Sequence, residues 1–257
     1  MRYLTLLLAC SILVLFGCEK DATISLEELG SLRLDHHLEM HSQEHIAFEA
    51  FGCVGNHPNF QLDNGRDAIQ AFILSPSNAN TFRYYETDSL RFKDSLETYT
   101  QIDIPFEGFG DGLFMQASLN QVQRDRYARM TYLANDSLYV TPAIAVRSAT
   151  LTTSDLGEIE SGVNEQGYYE INWRSVPGAD QYLLILRDRS GDALVGLTTE
   201  RSSFQWYDLR SVSNDFFPGL RDPRLVEGAE YECSIYALTE RAWLSSFGRH
   251  TFTYTTE

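Results

Sequence analysis

The chain has 257 residues, with 36 acidic against 20 basic side chains and a formal net charge of −16. A surface that acidic repels phosphate backbones and anionic bilayers, which excludes nucleic acid as a partner and excludes attachment to a membrane through the protein surface. The length suits one large or two ordinary domains, and two is the expectation. The four cysteines form no CxxC pair, so a thiolate metal site or a dithiol redox centre is excluded as well.

The chain opens on Arg2 and an apolar run over residues 4–16, too short for the roughly 20 residues of a spanning helix. Gly17 and Cys18 close that run, and the chain then turns polar at Glu19-Lys20-Asp21. Leu15-Phe16-Gly17-Cys18 resembles the lipobox of bacterial lipoproteins. The resemblance implies a signal peptide over 1–17, acylation of Cys18 as the first residue of the mature chain, and a lipidated tether over 18–29. Two or three acyl chains hold a protein firmly at a bilayer, because each buried methylene contributes about 0.8 kcal/mol. The mixed charges after Cys18 resemble the surface-export tails of Bacteroidota lipoproteins. The expected location is therefore the outer membrane, lipid-anchored, at the cell surface.

Residues 30–146 read as a first β-domain. Leu32, Leu34, Leu38 and Met40, with His36 among them, alternate with Arg33, Asp35, His37, Glu39 and His41, which predicts a strand over 32–40. A polar turn at 42–44 and a returning strand over 45–54 would complete a hairpin. Further strands are expected over 68–74, 81–86, 99–105, 113–119, 126–133 and 137–141. Asn64-Gly65, within Asp63-Asn64-Gly65-Arg66-Asp67, signals a turn rather than a calcium loop. The glycines of 108–112 read as a hairpin end, because no lysine follows to make a phosphate cradle. The spacing suggests an immunoglobulin-like sandwich, with a boundary in 141–153. Arg83-Tyr84-Tyr85-Glu86-Thr87 and residues 127–132 resemble segments of uncharacterised Bacteroidota lipoproteins, which implies no activity.

Residues 147–257 carry short segments rich in Tyr, Ile, Val, Trp and Thr between turns, the pattern of a second sandwich. Strands are expected over 168–173, 181–187, 193–198, 230–238 and 250–255. Trp173, the turn Pro177-Gly178-Ala179 followed by Tyr182, and Leu225-x-x-Gly228-x-x-Tyr231 resemble a fibronectin type III domain. The last group resembles a tyrosine corner, in which a tyrosine hydroxyl bonds to backbone just upstream. Extra residues over 211–223 depart from that pattern. The fold class expected overall is all-β, two tandem β-sandwiches after the signal segment.

Five of six histidines lie over 36–57, and His37, His41 and His45 are spaced four apart. On a helix that spacing aligns ligands; across a hairpin it opposes His41 and His45 with His37 and Glu49 nearby. An exposed histidine-rich face is the expectation and no metal or other cofactor is expected; a hydrolase using those three histidines is the enzymatic alternative. Gly-x-Ser-x-Gly is absent, and acidic pairs in so acidic a chain carry no weight without geometry, so no catalytic residue is expected and the protein is read as not an enzyme. Tyr84, Tyr85, Trp206 and Trp243 are candidate binding aromatics for a sugar face or a protein anchor, with Tyr207 beside Trp206. Asp88-Ser89-Leu90, Asp94-Ser95-Leu96 and Asp136-Ser137-Leu138 resemble the O-glycosylation acceptor of exported Bacteroidota proteins, which implies Ser89, Ser95 and Ser137 as sites. Cys53 and Cys233 are expected as separate buried thiols, although spacing alone leaves a pairing open. The function expected is a non-catalytic recognition or assembly module contacting an envelope protein or glycan; the alternative is a structural spacer or accessory subunit of an envelope complex.

Overall fold

The computed structural model describes residues 32–41, 43–45, 50–54, 69–74, 76, 78–109, 113–119, 124–147, 153–206, 212–215 and 225–256; the side chains of 43–45, 53, 54 and 212–215 are not among them. All but Leu32 belong to the unit Arg33–Glu257. The lipobox-like segment, the expected tether over 18–29, the expected turn over 63–67, Glu49, His57 and Tyr207 lie outside the described residues.

The first element corrects the reading of 32–40 as a strand. Leu34–Glu39 is an α-helix, α1, and it buries Leu34, His37 and Leu38. These positions stand at i, i+3 and i+4, one helical face, and the Leu34/Leu38 pair that suggested alternation satisfies both periods. Tertiary contact decides between them, with the Leu34 N–H donating to the Tyr99 carbonyl at 3.0 Å.

The first domain then forms two sheets from β1 (Gln43–His45), β2 (Ala50–Val54), β3 (Ile69–Leu74), β4 (Asn80–Glu86), β5 (Thr100–Ile102), β6 (Phe106–Phe109), β7 (Phe114–Leu119), β8 (Arg126–Ala134), β9 (Ser137–Val140) and β10 (Ile144–Val146). The outer sheet has the order β1-β9-β8-β4-β5, with β10 on β8, and the inner sheet β2-β3-β7-β6. β1 is not the start of a hairpin strand but runs parallel to β9, and β10 occupies part of the segment read as a boundary.

The second domain comprises β11 (Ser154–Asp155), β12 (Ile159–Val163), β13 (Tyr169–Trp173), β14 (Gln181–Asp188), β15 (Ala193–Thr199), β16 (Ser203–Gln205), β17 (Val212–Asp215), β18 (Glu230–Leu238) and β19 (Leu244–Thr253). Its inner sheet is β11-β19-β18-β14-β15-β17 and its outer sheet β12-β13-β16. The Tyr231 hydroxyl accepts the Val226 N–H at 2.8 Å, the geometry of a tyrosine corner. Tyr182 holds the turn before β14 in the same way, its hydroxyl accepting the Val176 N–H at 2.8 Å. β17 comes from the 211–223 departure and extends the sheet beyond β15. The described residues are thus all-β apart from short helical turns, built into β-sandwiches.

Four sheets stack in sequence. Tyr84, Met130, Tyr132, Ile69, Ile73 and Ala117 fill the space between the outer and inner sheets of the first domain. Ile171, Trp173, Leu184, Leu186, Cys233 and Ile235 fill the second sandwich. Between the sandwiches lies a third apolar layer: Phe51, Phe72 and Phe114 from the first domain against Leu183, Ile185, Tyr236 and Phe247 from the second. The Tyr236 ring sits 5.4 Å from that of Phe51 and 5.6 Å from that of Phe114. Each fully buried side chain of this size contributes about 1.5–3 kcal/mol, so the layer holds the two sandwiches as one body. This explains why every residue of β3 is buried: its odd positions face one core and its even positions the other.

Candidate functional site

The junction of the sandwiches is the site with the most defined geometry. The hairpin turn between β18 and β19 projects toward the first domain and lays Trp243 against β2. The Gly52 N–H donates to the Ala242 carbonyl at 3.0 Å, and the Ala145 N–H to the Arg241 carbonyl at 3.1 Å. Trp243 is 3% exposed and joins the core of the first sandwich beside Ala50 and Ile69. Within the turn, the Ala242 N–H donates to the Thr239 carbonyl at 2.8 Å and the Thr239 N–H to the Trp243 carbonyl at 3.0 Å. Beside it, the turn at 176–179 and Arg147 complete a concavity at the domain boundary.

The candidate binding aromatics are corrected by this architecture. Tyr84 and Tyr85 are fully buried, and Trp206 and Trp243 are 4% and 3% exposed, so none presents a ring to a ligand. The reason is that both faces of the outer first-domain sheet are covered. Alternation along β4 sends Tyr84 into the sandwich core and Tyr85 beneath α1 and Tyr99. The Tyr84 hydroxyl donates to Glu86 Oε1 at 2.9 Å, and Glu86 Oε2 pairs with Arg126 Nε at 2.7 Å. Burial, reinforced by Glu86, pushes the Tyr84 hydroxyl far above its ordinary range. Trp206 packs edge-on against Phe204 in the second core.

The histidine group is also rearranged. Helical spacing brings His37 and His41 together, with ring centroids 4.9 Å apart, and the Nδ1 atom of each ring is already engaged within the protein. His37 Nδ1 is 2.5 Å from the Tyr85 hydroxyl, and His41 Nδ1 donates to the His37 carbonyl at 3.0 Å. Desolvation, then the charges of Arg83 and His41, lower the His37 pKa to about 4, so its imidazole is neutral at pH 7. His36 lies 3.9 Å from Glu39, and the side chain of His45 is outside the described residues. Among the described residues no three His, Cys, Asp or Glu side chains are grouped to hold a metal ion.

The three Asp-Ser-Leu tripeptides converge. Leu90, Leu96 and Leu138 all pack into the cluster formed by Leu34, Leu38, Tyr85, Tyr99 and Tyr127, while Asp88, Asp94 and Asp136 are exposed. Ser89, Ser95 and Ser137 are half-buried at its rim. Ser89 Oγ accepts the Arg91 N–H at 3.3 Å, and Ser137 opens β9 after a turn in which Asn135 and Asp136 have φ of 50° and 61°. The third copy is therefore a hairpin end, not a loop.

Cys233 is a free, fully buried thiol inside the second sandwich, and burial pushes its pKa far up, so it is inert rather than reactive. Cys53 lies on β2, opposite Gln70, and its side chain is not among the described residues.

No family model matches this chain, and no curated protein matches it. A solved structure similar in part is a cytokine receptor complex, crystal form 1A, at 8% identity, covering 72% of this chain and 90% of that chain with a TM-score of 0.27. So distant a likeness bears on neither ligand nor partner.

Proposed function

We propose that this protein is a recognition or assembly module of the bacterial cell envelope, lipid-anchored through Cys18 in the outer membrane and turned to the cell surface, contacting an envelope protein or glycan without catalysing a reaction. The observation that carries this reading is the apolar layer around Phe51, Phe114 and Tyr236. It joins two sandwiches into one rigid body with a fixed concavity at their boundary, and preorganised surfaces lose less entropy on binding. The lipobox-like sequence supplies attachment. Among the described residues no helix is long and apolar enough to cross a membrane.

The test is intact mass and membrane fractionation of natively expressed protein beside Cys18→Ser, with surface protease digestion on the same cells. The expected result is an acylated, membrane-bound and protease-sensitive wild type and an unanchored variant. Acylated but protected protein overturns the surface assignment, and an unacylated product overturns the anchor.

The same rigid layer favours a second reading, a spacer or accessory subunit that sets a fixed distance in an envelope complex. A native complex that shrinks when the junction is weakened, with glycan contact unaffected, selects that reading.

A further inference from the structure

The junction concavity has a volume of about 410 Å³, within the range of small-molecule sites, which favour domain boundaries. Its walls bring together Arg147 and Arg241, the carboxylates of Asp180 and Glu240, and Trp243.

The chemistry of the walls selects the occupant. Two guanidiniums offset two carboxylates, so the site favours no net charge, and the acidity of the whole chain works against an anion. Each of the four groups is planar with paired donors or paired acceptors. Paired acceptors fit neighbouring hydroxyls on a ring, and paired donors fit hydroxyl and ring oxygens. Apart from Trp243 the named walls are polar, which gives little to anchor an apolar peptide side chain. The frame is held in place by the Tyr182 bond to Val176 and by the backbone bonds Gly52 to Ala242 and Ala145 to Arg241.

We propose that this concavity binds a neutral saccharide, with Asp180 and Glu240 reading hydroxyls and Arg147 and Arg241 reading oxygens. The inference rests on the recognition reading above and assigns it a site and a ligand class. The test is saturation-transfer NMR of the detergent-solubilised full chain with maltose, cellobiose, lactose and diacetylchitobiose at millimolar concentration. At least one sugar is expected to show transfer, with affinity falling about tenfold or more in Arg241→Ala and in Asp180→Asn, and unchanged in Tyr168→Ala. Tyr168 is an exposed aromatic on the β12–β13 hairpin, and circular dichroism checks that each variant is folded. No transfer to any of the four overturns the ligand class. Transfer that survives both wall variants overturns the site. Either failure leaves the Cys18 fractionation result standing, whereas loss of anchoring with sugar binding intact overturns the envelope reading alone.

Discussion

Gly52 and Trp243 meet face to face across the domain junction: a Cβ on Gly52 would stand 3.4 Å from indole Cζ3 and 3.5 Å from Cε3. A residue of the second sandwich thereby completes the core of the first, and the glycine is the opening through which it enters. Trp243→Ala is expected to cost about 3–5 kcal/mol of stability and Gly52→Val about 1–3 kcal/mol, measured by urea unfolding. An unchanged midpoint in both would show that the contact is dispensable.

The same contact predicts how the chain tolerates division. Residues 33–146 expressed alone lose Trp243 and uncover Phe51, Phe72 and Phe114. They are expected to bind a hydrophobic dye and to aggregate, while the whole chain unfolds in one cooperative transition by calorimetry. Deleting 147–257 is therefore a poor test of complex assembly, and weakening variants at the junction are the better tool.

Tyr231→Phe and Tyr182→Phe each remove one hydroxyl that accepts a backbone N–H. Each is expected to cost about 1 kcal/mol, and the two effects are expected to add because no partner is shared. A double variant no less stable than either single one would show the two turns to be coupled.

Gly248 sits where β19 passes beneath the β11–β12 connection. A Cβ there would lie 2.8 Å from Leu156 Cβ and 2.9 Å from Ile159 Cδ1. Gly248→Ala is expected to lower the thermal midpoint, with about 1–3 kcal/mol lost to overpacking, and relief by Leu156→Ala in the same chain would locate the clash.

His37 makes stability depend on pH. Its folded pKa of about 4 lies below the ordinary 6.5, so between those values the unfolded chain binds a proton that the folded chain does not. The contribution is complete above about pH 6.5 and is lost as pH falls toward 4, by about 2 kcal/mol once solvent screening is allowed for. Chemical denaturation across that window should show the slope in wild type and a flatter profile in His37→Gln.

The three serines on one rim give a mass prediction. Native protein is expected to carry hexose additions that disappear in turn with Ser89→Ala, Ser95→Ala and Ser137→Ala. A native mass without added sugar removes the assignment.

The all-β character, the main strands from Ile69–Leu74 through Glu230–Leu238, and the turn tyrosines Tyr182 and Tyr231 were legible in sequence because period-two patterning and turn residues are local properties. The unbroken apolar runs of β3 and β14 also carried a signal that alternation alone does not capture: a strand covered on both faces. What covers those faces is not local. Whether Leu34 and Leu38 mark a strand or a helix, whether Trp243 meets solvent or a neighbouring core, and whether Tyr85 is a platform or a buried post depend on which surface packs against each. Those choices are made by contacts between residues far apart in the chain, where burial outweighs the small intrinsic preferences of any single segment. The sequence by itself determined an all-β chain of sandwich type; only the tertiary structure decided that the sandwiches share an apolar layer and that a charged concavity lies where they meet.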